Sequence, residues 1–181
     1  MIVIIGESAS GKTTLQRRFV EANPEYHGVV SYTTRPMRPG EQDGVDYHFV
    51  TMDQFQKMEQ AGEFAETAEY RGWCYGAAKR DCVGDHVISV LTPHGLRSMR
   101  KAGIHVLAVY LYVDRRSRMI KILQRGDDVD EAYRRNVSDA GQFDGVADEV
   151  DYVINNTHYA MDEDMVLNCL NEIVQRHAEH T

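Results

Sequence analysis

Cysteine is scarce in this chain: Cys74, Cys82 and Cys169 are the only three in 181 residues. Their number is odd and no CxxC spacing occurs, so neither a disulfide framework nor a zinc site is indicated, and a reducing compartment fits. They are read as packing residues. Proline is also sparse, with four residues, and no Pro/Gly/Ser-rich linker, repeat or low-complexity tract divides the chain. One domain is expected, long enough to bury about 70% of its unfolded surface. Long apolar runs are missing too. The longest, IHVLAVYLYV at 104–113, is too short to span a bilayer and is rich in β-formers. The opening residues MIVII lack the basic n-region and cleavage site of a signal peptide, so a cytoplasmic protein with no membrane partner is expected. Positive charge is in deficit, with 20 Lys and Arg against 28 Asp and Glu and a net charge of -8. That balance argues against a nucleic-acid partner held by bulk attraction. Any anion must be caught locally. The histidines show no HExxH or paired metal spacing and are read as surface or packing residues, with His177 and His180 in a frayed tail.

What is present is an alternation of strands and helices. Met1 to Ile5 reads as a buried strand, and Lys12 to Ala22 as a helix with Leu15, Phe19 and Val20 on its apolar face. The pattern returns with a strand at Val87 to Leu91, a helix at His94 to Ala102, a strand at Ile104 to Val113 and a helix from about Arg115 to Gln124. A short strand at Asp151 to Ile154 and a helix from Asp162 to Arg176 close the chain. Such alternation predicts an α/β fold with a parallel sheet covered by helices on both faces. The core, about 1–31, 80–124 and 150–181, is interrupted twice. The segment of about 32–79 mixes loops, aromatic residues and short strand-like pieces around one helix, Met52 to Gln60, announced by the capping-box pattern Thr51 to Gln54. The segment of about 125–149 is charged and helical. Both are expected over the C-terminal edge of the sheet, where α/β folds bind ligands.

The run Gly6-Glu7-Ser8-Ala9-Ser10-Gly11-Lys12-Thr13-Thr14 matches GxxxxGK followed by Ser or Thr, directly after a strand and opening a helix. Glycines let backbone N–H groups turn inward, the helix N-terminus adds its positive end, Lys12 reaches the β and γ phosphates, and Thr13 can ligate Mg2+. A P-loop NTPase site for a nucleoside triphosphate follows.

In SYTTRPMRPGEQDGVDYHF, Ser31 to Phe49, Pro36 and Pro39 break helical geometry, so Arg35 and Arg38 sit on a loop with little conformational freedom left to lose. Guanidinium groups clamp phosphate with paired hydrogen bonds, and the Tyr47 hydroxyl can donate another. Alone, the stretch would equally suit a solvated charged loop. Downstream, 64–76 adds Glu66, Glu69, Tyr75 and Gly76. Trp73 is read as packing.

The phosphate loop, then S-Y-T-T-R-P-x-R-P-G-E-x-D-G-x-D-Y-x-F, then F-x-E-x-A-E-x-x-G-x-x-Y-G resemble the guanylate kinase family in order and spacing. Weaker likeness continues through Arg125-Gly126 and 151–156. The resemblance implies a nucleoside-monophosphate-binding region at about 32–79 and a helical lid at about 125–149. It implies that Arg35, Arg38, Tyr47 and Tyr75 hold the phosphate of GMP, while Ser31 and Glu66 face the guanine. Independently, a carboxylate suits the N1–H and N2–H2 donors of guanine, whereas adenine would leave Glu66 mispaired. Arg125 matches a lid arginine. Where the family has its next one, this chain holds Asn136, with Arg135 one residue earlier and Arg134 before it, and a solvated ion-paired helix is the alternative for both. Asn156 matches an asparagine near the adenine of ATP, with a plain turn residue as the alternative.

The pattern fails after the strand at 87–91. Val90 and Thr92 stand where the family resembles itself in an acidic pair, so one metal-side and one guanine-side carboxylate are missing. Thr92 can still form a hydrogen bond but carries no charge. The expected activity is ATP-dependent phosphorylation of GMP or dGMP, with Mg2+ held mainly by Thr13, phosphates and water. A kinase of the same fold with another phosphorylated acceptor is the alternative. A non-catalytic interaction module is disfavoured by the intact Gly11-Lys12-Thr13.

Overall fold

The structure, a computed structural model, describes residues 1–179 apart from Pro39, Arg71 and Asp127, and only the backbone of Tyr70 and Glu131. The expectations for Pro39 and His180 therefore lie outside the described residues. In chain order the strands are β1 (Ile2–Ile5), β2 (His27–Gly28), β3 (Tyr32–Thr33), β4 (His48–Phe49), β5 (Phe64–Tyr70), β6 (Trp73–Ala78), β7 (Val87–Leu91), β8 (Leu107–Tyr112) and β9 (Tyr152–Asn155). The helices are α1 (Lys12–Ala22), α2 (Met52–Gln60), α3 (Pro93–Lys101), α4 (Arg115–Gln124), α5 (Val129–Asp139) and α6 (Glu163–Glu179).

Five strands in the order β2-β7-β1-β8-β9 form an all-parallel sheet. The whole of β1 is buried, because helices cover both faces. Ile2 and Ile4 share an apolar cluster with Leu15 and Phe19 of α1 and with Val166 and Leu170 of α6. Val3 and Ile5 share another with Leu96 and Met99 of α3. Successive side chains of a strand point to opposite faces, so a fully apolar strand needs this double cover. Leu170 is wholly buried, and truncating it to Ala would cost about 3 kcal/mol.

Between β2 and β7 the chain builds a second sheet, β4-β3-β6-β5, antiparallel except for β3 beside β4. The capping box of α2 forms as the sequence predicts: Gln54 N–H donates to the Thr51 hydroxyl and Thr51 N–H to the Gln54 side chain. Phe55 of α2 stacks on Phe64 and packs with Tyr32 and Ala78, giving this sheet a small core of its own.

Three details differ from expectation. The strand expected over 104–113 is confined to Leu107–Tyr112, because Gly103 turns the chain with a φ of 77° and Ile104 N–H closes on Met99 O. Helix α6 continues through His177 to Glu179 where a frayed tail was expected. Trp73 is 37% exposed at the tip of the β5–β6 hairpin rather than packed. Among the described residues no helix is long and apolar enough to cross a membrane.

Candidate functional site

From Ile5 the chain turns through 6–11 into α1, whose first residue is Lys12. Gly6 is required by close approach: a Cβ there would stand 2.6 Å from both Leu111 O and Ser10 Oγ. Gly11 caps α1 with a φ of 102° and no side-chain hydrogen bond, so the open N–H groups of the first turn remain for a ligand. Lys12 Nζ donates to Glu7 O at 2.8 Å. Burial pushes its pKa down to about 8, against the opposing pull of Asp139 and Glu7. Ser10 Oγ and Glu7 Oε2 are buried with no hydrogen-bond partner among the described residues. Unsatisfied groups in a phosphate loop are what an incoming polar ligand or its water would meet.

Thr13 is exposed beside this loop. Among the described residues no three His, Cys, Asp or Glu side chains gather to hold a metal. A single hydroxyl still suits Mg2+, which binds proteins through few groups and takes the rest of its octahedron from phosphate oxygens and water.

A cavity of about 810 Å3 runs from Gly6, Ser8 and Lys12 across to the second sheet. On its far side Arg35 is 8% exposed. It pairs with both carboxylate oxygens of Glu41, at 2.7 and 3.0 Å, and donates to Pro36 O at 2.8 Å. The guanidinium lies 5.5 Å from the ring centre of Tyr47, which meets Tyr75 edge to face. Arg38 is exposed, and its backbone N–H donates to Glu41 at 2.7 Å. Burial raises the Tyr47 pKa, so it keeps its hydroxyl proton. Ser31, Tyr75, Glu66, Thr92 and Val90 line the same cavity.

Glu66 is 8% exposed, and burial pushes its carboxyl up to about 7 against a backbone hydrogen bond at Ala77. Helix α3 approaches it closely at Gly95, where a Cβ would stand 3.2 Å from Glu66 Oε2. Thr92 is the N-cap of α3: its hydroxyl accepts from Gly95 N–H at 3.1 Å. Its own O–H can still donate into the cavity, but Val90, Leu91 and Thr92 bring no carboxylate to that wall. Thus the residue that stands in for a missing acid has a helix to cap as well.

A second cavity, of about 280 Å3, adjoins the loop at Ala9, Ser10, Gly11 and Thr14 and is closed by Arg125, Asn156 and Tyr159. Both ends of the Asn156 amide are engaged by the Met161 backbone, at 2.8 and 3.2 Å. Its side chain thereby fixes the 156–161 turn. Tyr159 donates to Ala9 O at 2.7 Å and so ties this turn to the phosphate loop. Asp114 caps α4 through Ser117 N–H and also accepts from His158 N–H; those hydrogen bonds hold its carboxyl far below the usual range.

Of the arginines expected on a lid, Arg125 borders the second cavity and Arg135 the first, while Asn136 is buried. Arg134, beside it on α5, is half-buried. Among the described residues, Tyr159 and three charged residues at the site were not singled out from the sequence. Glu41 grips Arg35, Arg118 ion-pairs with Glu7 and Asp139, and Asp139 accepts hydrogen bonds from Ser8. Only Glu41 had a local signal, three residues after Arg38 in the same turn.

Comparison with known proteins adds a family to this geometry. The family model described as guanylate kinase matches residues 1–176. A guanylate kinase of Nostoc sp. is 33% identical over 165 residues, covering 88% of this chain and 83% of that protein. One from Thermosynechococcus vestitus is 35% identical over 162 residues, covering 86% and 85%. The crystal structure of guanylate kinase from Anaplasma phagocytophilum superposes with a TM-score of 0.72 at 22% identity, covering 98% of this chain and 85% of that one. With the phosphate loop, the arginine turn and the parallel core all within the matched residues, this chain belongs to the guanylate kinase family.

Proposed function

We propose that the protein has its family's activity, transferring the γ-phosphoryl group of ATP to GMP or dGMP to give ADP and the guanosine diphosphate. The observation that carries this reading is the single cavity bounded by Lys12 and the phosphate loop on one side and by Arg35, Arg38, Tyr47, Tyr75 and Glu66 on the other. The adjoining cavity beside Asn156 and Tyr159 has room for the donor's base and ribose.

The acceptor's phosphate oxygen is already anionic, so no base need remove a proton. That oxygen forms the new bond to the γ phosphorus, the bond to the β–γ bridging oxygen breaks, and its electron pair leaves with ADP. The obstacle is repulsion between two anions. Arg35 and Arg38, with Tyr47 and Tyr75, would neutralise and orient the acceptor phosphate, and Lys12 with Arg125 and Arg135 the donor. Lys12, its pKa lowered to about 8 by burial, would hold its proton more firmly once a polyphosphate lies beside it. Thr13 would hold Mg2+, which supplies charge neutralisation on the donor phosphates. Ser31, Glu66 and Thr92 would face the base. Free cysteines throughout fit a reducing, cytoplasmic setting.

The test supplies ATP, Mg2+ and each nucleoside monophosphate in turn and measures diphosphate formation. GMP and dGMP should be turned over, and use of another acceptor to the exclusion of both would overturn the reading.

A further inference from the structure

The phosphate loop already holds an anion, supplied by the chain itself. Asp139, the last residue of α5, accepts from the Ser8 backbone N–H at 2.8 Å and from the Ser8 hydroxyl at 3.1 Å. Its Oδ2 also lies 3.4 Å from Nη1 of Arg118, and its charge acts on Lys12. A backbone N–H, a hydroxyl and a guanidinium thus converge on one carboxylate, with an ammonium nearby. That is the donor set of a phosphate-oxygen site.

Arg118 reaches this point from α4. Its Nε donates to Val113 O at 3.0 Å, its Nη1 to Ser8 O at 3.3 Å, and its Nη2 lies 3.5 Å from Glu7 Oε1. The side chain is only 7% exposed. So anchored, the guanidinium has little freedom left to lose on meeting a ligand. The lid, by contrast, places the buried Asn136 where an arginine was expected. Arg118 on α4 thus places a second guanidinium, through Asp139, at the cavity that Arg135 of α5 lines.

We propose that Arg118 is a further catalytic residue, meeting the terminal phosphate of ATP at the position that the Asp139 carboxylate holds in this structure. The proposal rests on the kinase reading above. A carboxylate and a phosphate cannot share one set of donors without strong repulsion, so the terminal phosphate must expel Asp139. Its departure frees Nη1 of Arg118 and moves the end of α5. During transfer Arg118 stabilises charge on the γ-phosphoryl oxygens, while the bonds made and broken are those given above. ADP, lacking that phosphate, leaves Asp139 in place.

The experiment is calorimetric titration of ATP and of ADP, each with Mg2+ and without any acceptor, into the unsubstituted protein and into Asp139→Asn, Arg118→Gln and Arg118→Lys. Asp139→Asn should tighten ATP about tenfold and change ADP less than about twofold. Arg118→Gln should weaken ATP by about tenfold with ADP again nearly unchanged, and Arg118→Lys should fall between. An unaltered ATP-to-ADP affinity ratio in Asp139→Asn overturns the proposal, whether or not the Arg118 variants fold. So does an equal loss for both nucleotides in a folded Arg118 variant, which is the mark of a scaffold. Because no acceptor is present, a wrong assignment of GMP leaves these results standing. Failure of the unsubstituted protein to bind ATP overturns both readings.

Discussion

Glu41 holds Arg35 by both carboxylate oxygens, and the same carboxylate takes the Arg38 backbone N–H. One acid therefore shapes the turn that carries both arginines proposed to hold the acceptor. Glu41→Gln keeps the shape of the side chain but loses the charge-assisted pair. The KM for GMP should rise about tenfold with little change in that for ATP. Steady-state kinetics with each substrate varied in turn is the check, and equal effects on both would show that Glu41 serves the fold in general.

Glu66 is expected to make base recognition sensitive to pH. Its folded pKa, about 7, exceeds the ordinary 4.5. Its contribution to stability is therefore full below pH 4.5 and lost as the pH rises through 7, a change of about 3 kcal/mol. Urea unfolding of the unsubstituted protein and of Glu66→Gln should diverge over that window, with the Gln variant gaining relative stability at higher pH. Only the ionised carboxylate accepts both guanine donors, so the KM for GMP should fall between pH 6 and 8. The Gln variant should show no such fall.

At Gly95 the contact itself is the constraint. Gly95→Ala improves helix propensity by about 1 kcal/mol, yet its Cβ would meet both Glu66 Oε2 and Leu91 Cβ at 3.2 Å. Helix α3 must give by a few tenths of an ångström. The expected result is a several-fold rise in KM for GMP with ATP unaffected, and no gain in melting temperature.

Tyr159→Phe removes the hydrogen bond to Ala9 O, a residue held at a φ of 65°. Loss of that tie should cost about 1 kcal/mol and raise the KM for ATP several-fold while sparing GMP. Kinetics with ATP varied at saturating GMP distinguish this from a general loss of fold.

The phosphate loop, the parallel core and the α2 cap could be read in advance because each is written in adjacent residues: an apolar strand, glycines at fixed spacing, Thr51 ahead of Gln54. Arg35 and Arg38 were legible as a pair on a proline-fixed turn. Arg118 and Asp139 were not. Their partners in the phosphate loop lie 110 and 131 residues away, and in the chain they look like ordinary charges on helical stretches. Thr92 was half legible, since a residue before proline that opens a helix is also a natural cap. Asn156, expected either near the adenine or as a turn residue, borders the second cavity and spends its amide on the neighbouring turn, a use that only the backbone of Met161 reveals.

The second sheet has its aromatic core on the α2 side, but toward the main domain it offers Ala65 and Ala77, packed among Leu91 and Leu96. Small methyl groups meet leucines along this joint, beside the close approach of Gly95 to Glu66. Trp73, at the outer tip of this sheet, is the only tryptophan in the chain. Tryptophan fluorescence therefore reports on the β5–β6 hairpin alone, free of any signal from the parallel core.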